Sequence, residues 1–103
     1  MFYVGFCRIC GTGPLGLRCC GRCGRITLLC DECEAAWPDS NLAAAPLTGA
    51  RISCPDCYQT LIATPSHWAT AAEIAATDWL QQAFRADNLQ LQYVSSVAPG
   101  ESQ

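Results

Sequence analysis

The clearest periodic signal lies in the second half of the chain. Ala72, Ala76, Trp79 and Ala83, with Leu80 and Phe84 slightly off-axis, recur at three- and four-residue spacings, the period of one buried helix face. Just ahead, Thr70-Ala-Ala-Glu73 is a capping box: the hydroxyl accepts from an early amide and the carboxylate reaches back to the cap's own amide. Together they predict a helix from Ala71 to about Ala86. Asn88 to Val94 then alternates apolar and polar positions, predicting a strand with Leu89, Leu91 and Tyr93 on one side.

Upstream the signals are shorter. Arg25-Ile-Thr-Leu-Leu29 is β-prone, and Thr60-Leu-Ile-Ala63 reads as a short strand stopped by Pro65. Cys30-Asp-Glu-Cys33-Glu-Ala-Ala-Trp37 places acids and then alanines where a helix start favours them, with Pro38 and Asp39-Ser40-Asn41 as the stop. Asn41 to Ala50, rich in Ala, Pro and Gly, predicts a surface loop. Ala98 to Gln103 predicts a disordered tail.

These elements are too few to hold a core alone. At 103 residues the chain is one small domain at most, and nine cysteines with only 15% charged residues point to stabilisation by disulfides or metal. Eight of the nine form Cys-x-x-Cys pairs: Cys7/Cys10, Cys20/Cys23, Cys30/Cys33 and Cys54/Cys57. Two residues between thiols suit a tight knuckle that aims both sulfurs at one ion, and two knuckles complete the tetrahedral tetrathiolate of structural zinc. Four pairs therefore predict two Zn2+ ions. Disulfides or a redox Cys-x-x-Cys fit less well, because the count is odd and no βαβ context surrounds the motif. An iron–sulfur cluster is a further alternative.

Thiolate ligands imply a reducing compartment, so a cytoplasmic location is expected. Met1 to Phe6 lacks the basic and apolar regions of a signal peptide, and no apolar run approaches the ~20 residues of a membrane span. The formal charge of −3 becomes about −7 once eight thiolates and two divalent ions are counted. All basic residues are arginine, and Arg8, Arg18, Arg22 and Arg25 lie in the first thirty residues, which carry no acid. Much of that local charge offsets the thiolates, which makes nucleic acid a less favoured partner.

Three ways of sharing two ions are open: sequential, nested and interleaved. Cys20-Gly-Arg-Cys23-Gly24 has the glycines of a knuckle, and a knuckle, a hairpin and a Cys-x-x-Cys at a helix start would pair the first knuckle with the third. The interleaved, cross-brace arrangement is favoured, with Cys7, Cys10, Cys30 and Cys33 as site one and Cys20, Cys23, Cys54 and Cys57 as site two. The sequential double ribbon is its rival.

Cys7-Arg-Ile-Cys10, Leu17 with Cys20, Cys30-x-x-Cys33 with Trp37, and Cys54-Pro-Asp-Cys57 resemble the RING finger pattern. Arg-Cys-Cys-Gly-Arg-Cys-Gly followed by Cys-Asp-Glu-Cys is similar to the middle of a FYVE finger. Both resemblances imply a cross-brace treble clef with two zinc ions over roughly residues 5–60. The chain has no histidine at a RING ligand position, has Tyr58 after the last cysteine, and lacks the basic FYVE motif. The whole chain also resembles small uncharacterised bacterial zinc-ribbon-like proteins, a similarity that implies no activity.

The expected fold class is thus a small α+β zinc-stabilised domain with short hairpins, a short helix after Cys30 and a C-terminal helix. Residues 1–64 would form the zinc module, 65–97 a helix and strand packed on it, and 98–103 the tail. The expected function is a protein-protein interaction or adaptor module without catalytic residues, because closed tetrathiolates leave no coordination position for a substrate. If the RING-like geometry holds, Ile9, Trp37 and Pro55 are candidate partner contacts. A RING-like ubiquitin-ligase-type module and a nucleic-acid-binding ribbon are the alternatives. His67, without a metal-spaced partner, is expected to be a packing residue rather than a ligand or catalyst, and Cys19 a spare thiol.

Overall fold

The run Ile26-Thr-Leu-Leu-Cys30 has no polar side to turn to water, and it forms the central strand, buried along its whole length. A computed structural model describes residues 1–47 and 52–93. Its elements are β1 (Phe2–Phe6), β2 (Pro14–Cys19), β3 (Ile26–Cys30), β4 (Ala36–Trp37), β5 (His67–Trp68), α1 (Ala71–Ala75), α2 (Asp78–Arg85) and β6 (Gln92–Tyr93). The first four strands form an antiparallel meander, and the sheet order is β4-β3-β2-β1-β6. Along its second edge β2 has two neighbours: β1 opposite Pro14 and Gly16, and β5 opposite Arg18 and Cys19.

Both sheet faces are covered, each by a different part of the chain. On one face the cross-strand pairs Leu15–Cys30, Leu17–Leu28 and Cys19–Ile26 pack with Trp37, Ile74, Leu80, Ala83 and Leu89. On the other, Leu29 and Ala36 pack with Ile52, Leu61, Cys54 and Trp68. Gly16 leaves room for the Trp68 ring, which lies where a β-carbon would project. A β-strand alternates its side chains between faces, so complete burial of β3 requires cover on both sides.

Arg18 fastens the second cover to the sheet. Its guanidinium donates to the carbonyls of Leu61 and Ser66 and lies 4.9 Å from the Trp68 ring centroid. Ser66 continues the link, donating to Thr60 O and accepting from the Gly21 amide.

Several sequence expectations are corrected. No helix follows Cys30. Glu34 takes a left-handed conformation (φ 63°), which turns the chain back, and Ala36 and Trp37 pair with Leu29 and Leu28 of β3. Burial of Ala35, Ala36 and Trp37 together outweighs a weak helical preference. Trp37 is accordingly 1% exposed, with its indole N–H donating to Ala44 O, and is no surface contact.

The C-terminal helix is two helices. α1 starts on the expected capping box at Thr70 and ends at Ala76, and α2 begins after Thr77. The break rotates the buried set: Ile74, Leu80 and Ala83 face the core, while Ala72 and Ala76 are exposed. Thr60 makes a single bridge with Ser53 in place of a strand. Of the expected 88–94 strand only Gln92–Tyr93 pairs, and Leu91 and Tyr93 are exposed whereas Leu89 is buried. Residues 48–50, the end of the expected loop, Arg51, Val94 and the 98–103 tail lie outside the described residues.

The burial of Trp37 has a measurable consequence. Trp37→Ala is expected to lower unfolding stability by about 3–5 kcal/mol in denaturant titration. A surface contact residue would leave the midpoint within about 0.5 kcal/mol of wild type.

Candidate metal centres

Each Cys-x-x-Cys occupies a turn, and the four turns are built alike. In each, the first cysteine closes the incoming strand or bridge: Cys7 N donates to Gly13 O, Cys20 N to Arg25 O, Cys30 N to Ala35 O and Cys54 N to Gln59 O, all at 2.8–2.9 Å. The amide two residues on then donates to that cysteine's sulfur, from Ile9, Arg22, Glu32 and Asp56, at 3.3–3.4 Å. The residue after the second cysteine is left-handed every time: Gly11, Gly24, Glu34 and Tyr58, with φ between 63° and 81°. The first cysteine of each pair is buried, at 2% exposure or less, because it packs into one of the two core clusters.

The meander decides which knuckles meet. Turns of an up-and-down sheet fall alternately at its two ends, so the β1–β2 and β3–β4 turns share one end and the β2–β3 turn lies at the other. Cys7, Cys10, Cys30 and Cys33 converge at the first end, with Cys7 Sγ to Cys33 Sγ 3.6 Å and Cys10 Sγ to Cys30 Sγ 3.7 Å. Cys20 and Cys23 meet Cys54 and Cys57 at the other, with Cys20–Cys57 and Cys23–Cys54 both 3.5 Å between sulfurs. These separations far exceed the ~2.05 Å of a disulfide. They lie close to the edge of about 3.8 Å that a zinc tetrahedron with 2.3 Å Zn–S bonds requires.

Close packing at each centre leaves little freedom in sequence. A β-carbon on Gly13 would fall 2.6 Å from Cys30 Sγ and 3.0 Å from Glu32 Cβ. Thr12 donates to the Glu32 carboxylate at 2.9 Å, tying the two knuckles of the first centre together. At the second, Arg25 bridges to Asp56 at 3.5 Å and donates to Pro38 O at 2.8 Å.

Electrostatics within each group is divided. Amides of Thr12 and Gly13 bring the Cys10 thiol down to about 6. Burial pushes Cys20 up, but the Cys23 and Arg22 amides outweigh it and the thiol falls to about 6. Cys23 and Cys33 go the other way, to about 12: the Arg25 and Ala35 amides favour their thiolates, but burial and neighbouring sulfurs together prevail. Four sulfurs at one point thus share negative charge poorly unless a cation stands between them.

Of the candidate contacts, Ile9 is 58% exposed on the knuckle of the first centre and Pro55 half-buried on that of the second. Phe6 and Tyr58, which the sequence did not propose as contacts, are more exposed than most apolar side chains here, at 58% and 79%. The sequence also missed a third convergence. Cys19, His67 and Glu73 bring ligand-type atoms within 4.8 Å of one another. Burial, reinforced by the Glu73 carboxylate, pushes the Cys19 thiol up to about 11.

The recurring left-handed position yields a test free of packing effects. A β-carbon at Gly24 would meet nothing within 4 Å, so Gly24→Ala is expected to destabilise the folded protein by about 1 kcal/mol through backbone conformation alone. Glu34→Gly is expected to stabilise it by about 0.5–1 kcal/mol, the left-handed cost being relieved and partly offset by glycine's chain entropy. Denaturant midpoints check both, and the same sign for the two would contradict the assignment.

No family model, no curated protein and no solved structure matches this chain. The functional reading therefore rests on the residues themselves.

Proposed function

We propose that this chain is a zinc-binding protein with two structural Zn2+ ions in an interleaved, cross-brace arrangement, and that it serves as a protein-protein interaction module. The carrying observation is the convergence of two sets of four sulfurs, with 3.5–3.7 Å between sulfurs across the paired knuckles. Cys7, Cys10, Cys30 and Cys33 would hold one ion, and Cys20, Cys23, Cys54 and Cys57 the other.

The metal supplies folding energy in this reading. A structural zinc contributes an apparent ~10–16 kcal/mol, comparable with the ~5–15 kcal/mol net stability of a domain. A closed tetrathiolate offers no position for a substrate or an activated water. What remains for function is surface, and its apolar part includes Phe6 and Ile9 on either side of Cys7.

Two rival readings lose support. The ligase-type reading relied on Trp37 as an exposed contact, and Trp37 is buried. The nucleic-acid reading relied on four arginines, yet Arg8, Arg18 and Arg25 each donate to backbone carbonyls of their own chain. Side chains tied to the body in this way are less free to track phosphates. Among the described residues no helix is long and apolar enough to cross a membrane.

Native mass spectrometry is expected to show at least two zinc ions per chain, with the fold lost on chelation; zero or one ion would sink the two-centre reading. For the interaction, Phe6→Ser/Ile9→Ser should keep both ions and the fold while losing a partner that the wild type retains in quantitative affinity purification. Identical sets of retained proteins would count against this surface.

A further inference from the structure

Cys19 is the last residue of β2, and Cys20, just beyond it, packs with the cluster on the opposite face of the sheet. Cys20 belongs to the second tetracysteine group, whereas Cys19 lies with the core cluster on the helix-covered face. There the register of β2 and β5 sets Cys19 directly opposite His67. Cross-strand partners project to the same face. The capping box supplies the third member: Glu73, bound through Oε1 to the Thr70 amide at 2.9 Å, presents its two oxygens to His67 Nε2 at 3.0 and 2.9 Å.

The histidine's other nitrogen restricts what can lie between His67 and Glu73. His67 Nδ1 lies 3.0 Å from Pro65 O, and a carbonyl only accepts, so Nδ1 carries the proton. In the neutral ring Nε2 then has a lone pair, aimed at a carboxylate that also has only lone pairs to offer. Two acceptors at 2.9 Å need a cation or a proton between them. Imidazole ligands to metals commonly have this outer arrangement, one ring nitrogen donating to a backbone carbonyl so that the other is fixed as the donor to the ion.

We propose that Cys19, His67 and Glu73 form a third metal site, for a divalent transition ion of the zinc class, with a fourth position open to solvent. The ligand set is one thiolate, one neutral imidazole and one carboxylate, so a divalent ion is neutralised there. Bonds of about 2.0–2.3 Å imply ligand separations of about 3.4–3.6 Å, and the three atoms, all within 4.8 Å of one another, reach these by shifts of the order of 1 Å. Openness follows from exposure: the side chains of His67 and Glu73 are 45% and 34% accessible, while Cys19 is 2% exposed from below. Unlike the tetracysteine centres, this one leaves room for an exogenous ligand.

The test is metal counting on protein reconstituted with excess zinc and desalted into native mass spectrometry. Wild type is expected to carry three ions, and Cys19→Ala and His67→Ala two each. Both variants leave all eight paired cysteines in place, and His67 is exposed, so the folded state can be checked by circular dichroism. Only two ions in the wild type would overturn the third site, leaving a protonated His67–Glu73 pair and the two tetracysteine centres. Three ions retained by His67→Ala would overturn it as well.

Discussion

An up-and-down sheet must deliver its successive turns to alternate ends, and this constraint organises the whole molecule. With a Cys-x-x-Cys in each of the first three turns, the first and third are brought together and the second is isolated at the far end. The fourth knuckle, held by the Ser53–Thr60 bridge, completes the group that the meander leaves half-filled. Interleaving is thus a property of strand order. Any cation shared by four such sulfurs ties both ends of β2 and β3 to segments far away in sequence.

Between the two centres the sheet is held by ordinary burial and by one arginine. Arg18 reads in the sequence as part of a basic N-terminal cluster, but its partners are two carbonyls and the Trp68 ring. It connects the sheet to the segment following the last knuckle, so a charge that suggested an external anion is used internally. Arg8 and Arg25 are tied to Leu42 O and Pro38 O in the same way. The charge pattern was legible; its use depended on backbone positions that composition does not reveal.

Where the structure departs from local sequence signals, a local preference met a stronger tertiary demand. Cys30-Asp-Glu-Cys33-Glu-Ala-Ala has the acids and alanines of a helix start, yet its amides serve sulfur and Ala36-Trp37 completes the buried sheet. The apolar period after Thr70 was real, but Thr77 Oγ1 donates to Glu73 O, a second helix begins there, and Ile74 replaces Ala72 and Ala76 in the core. The capping box itself needed no tertiary help, because all of its partners lie within four residues.

The sequence by itself determined the chemistry of the candidate ligands: eight thiols at two-residue spacing, each pair confined to one turn, because so short a loop aims both sulfurs the same way whatever surrounds it. It also determined the β-prone central run and the start of the first helix, which are local matters of propensity and capping. Only the tertiary structure decided which pairs converge, that Trp37 is core, and that Cys19 stands beside His67 and Glu73. Those depend on strand order, register and helix docking, which bring Cys19 beside Glu73, 54 positions away, and leave no spacing in the sequence to read.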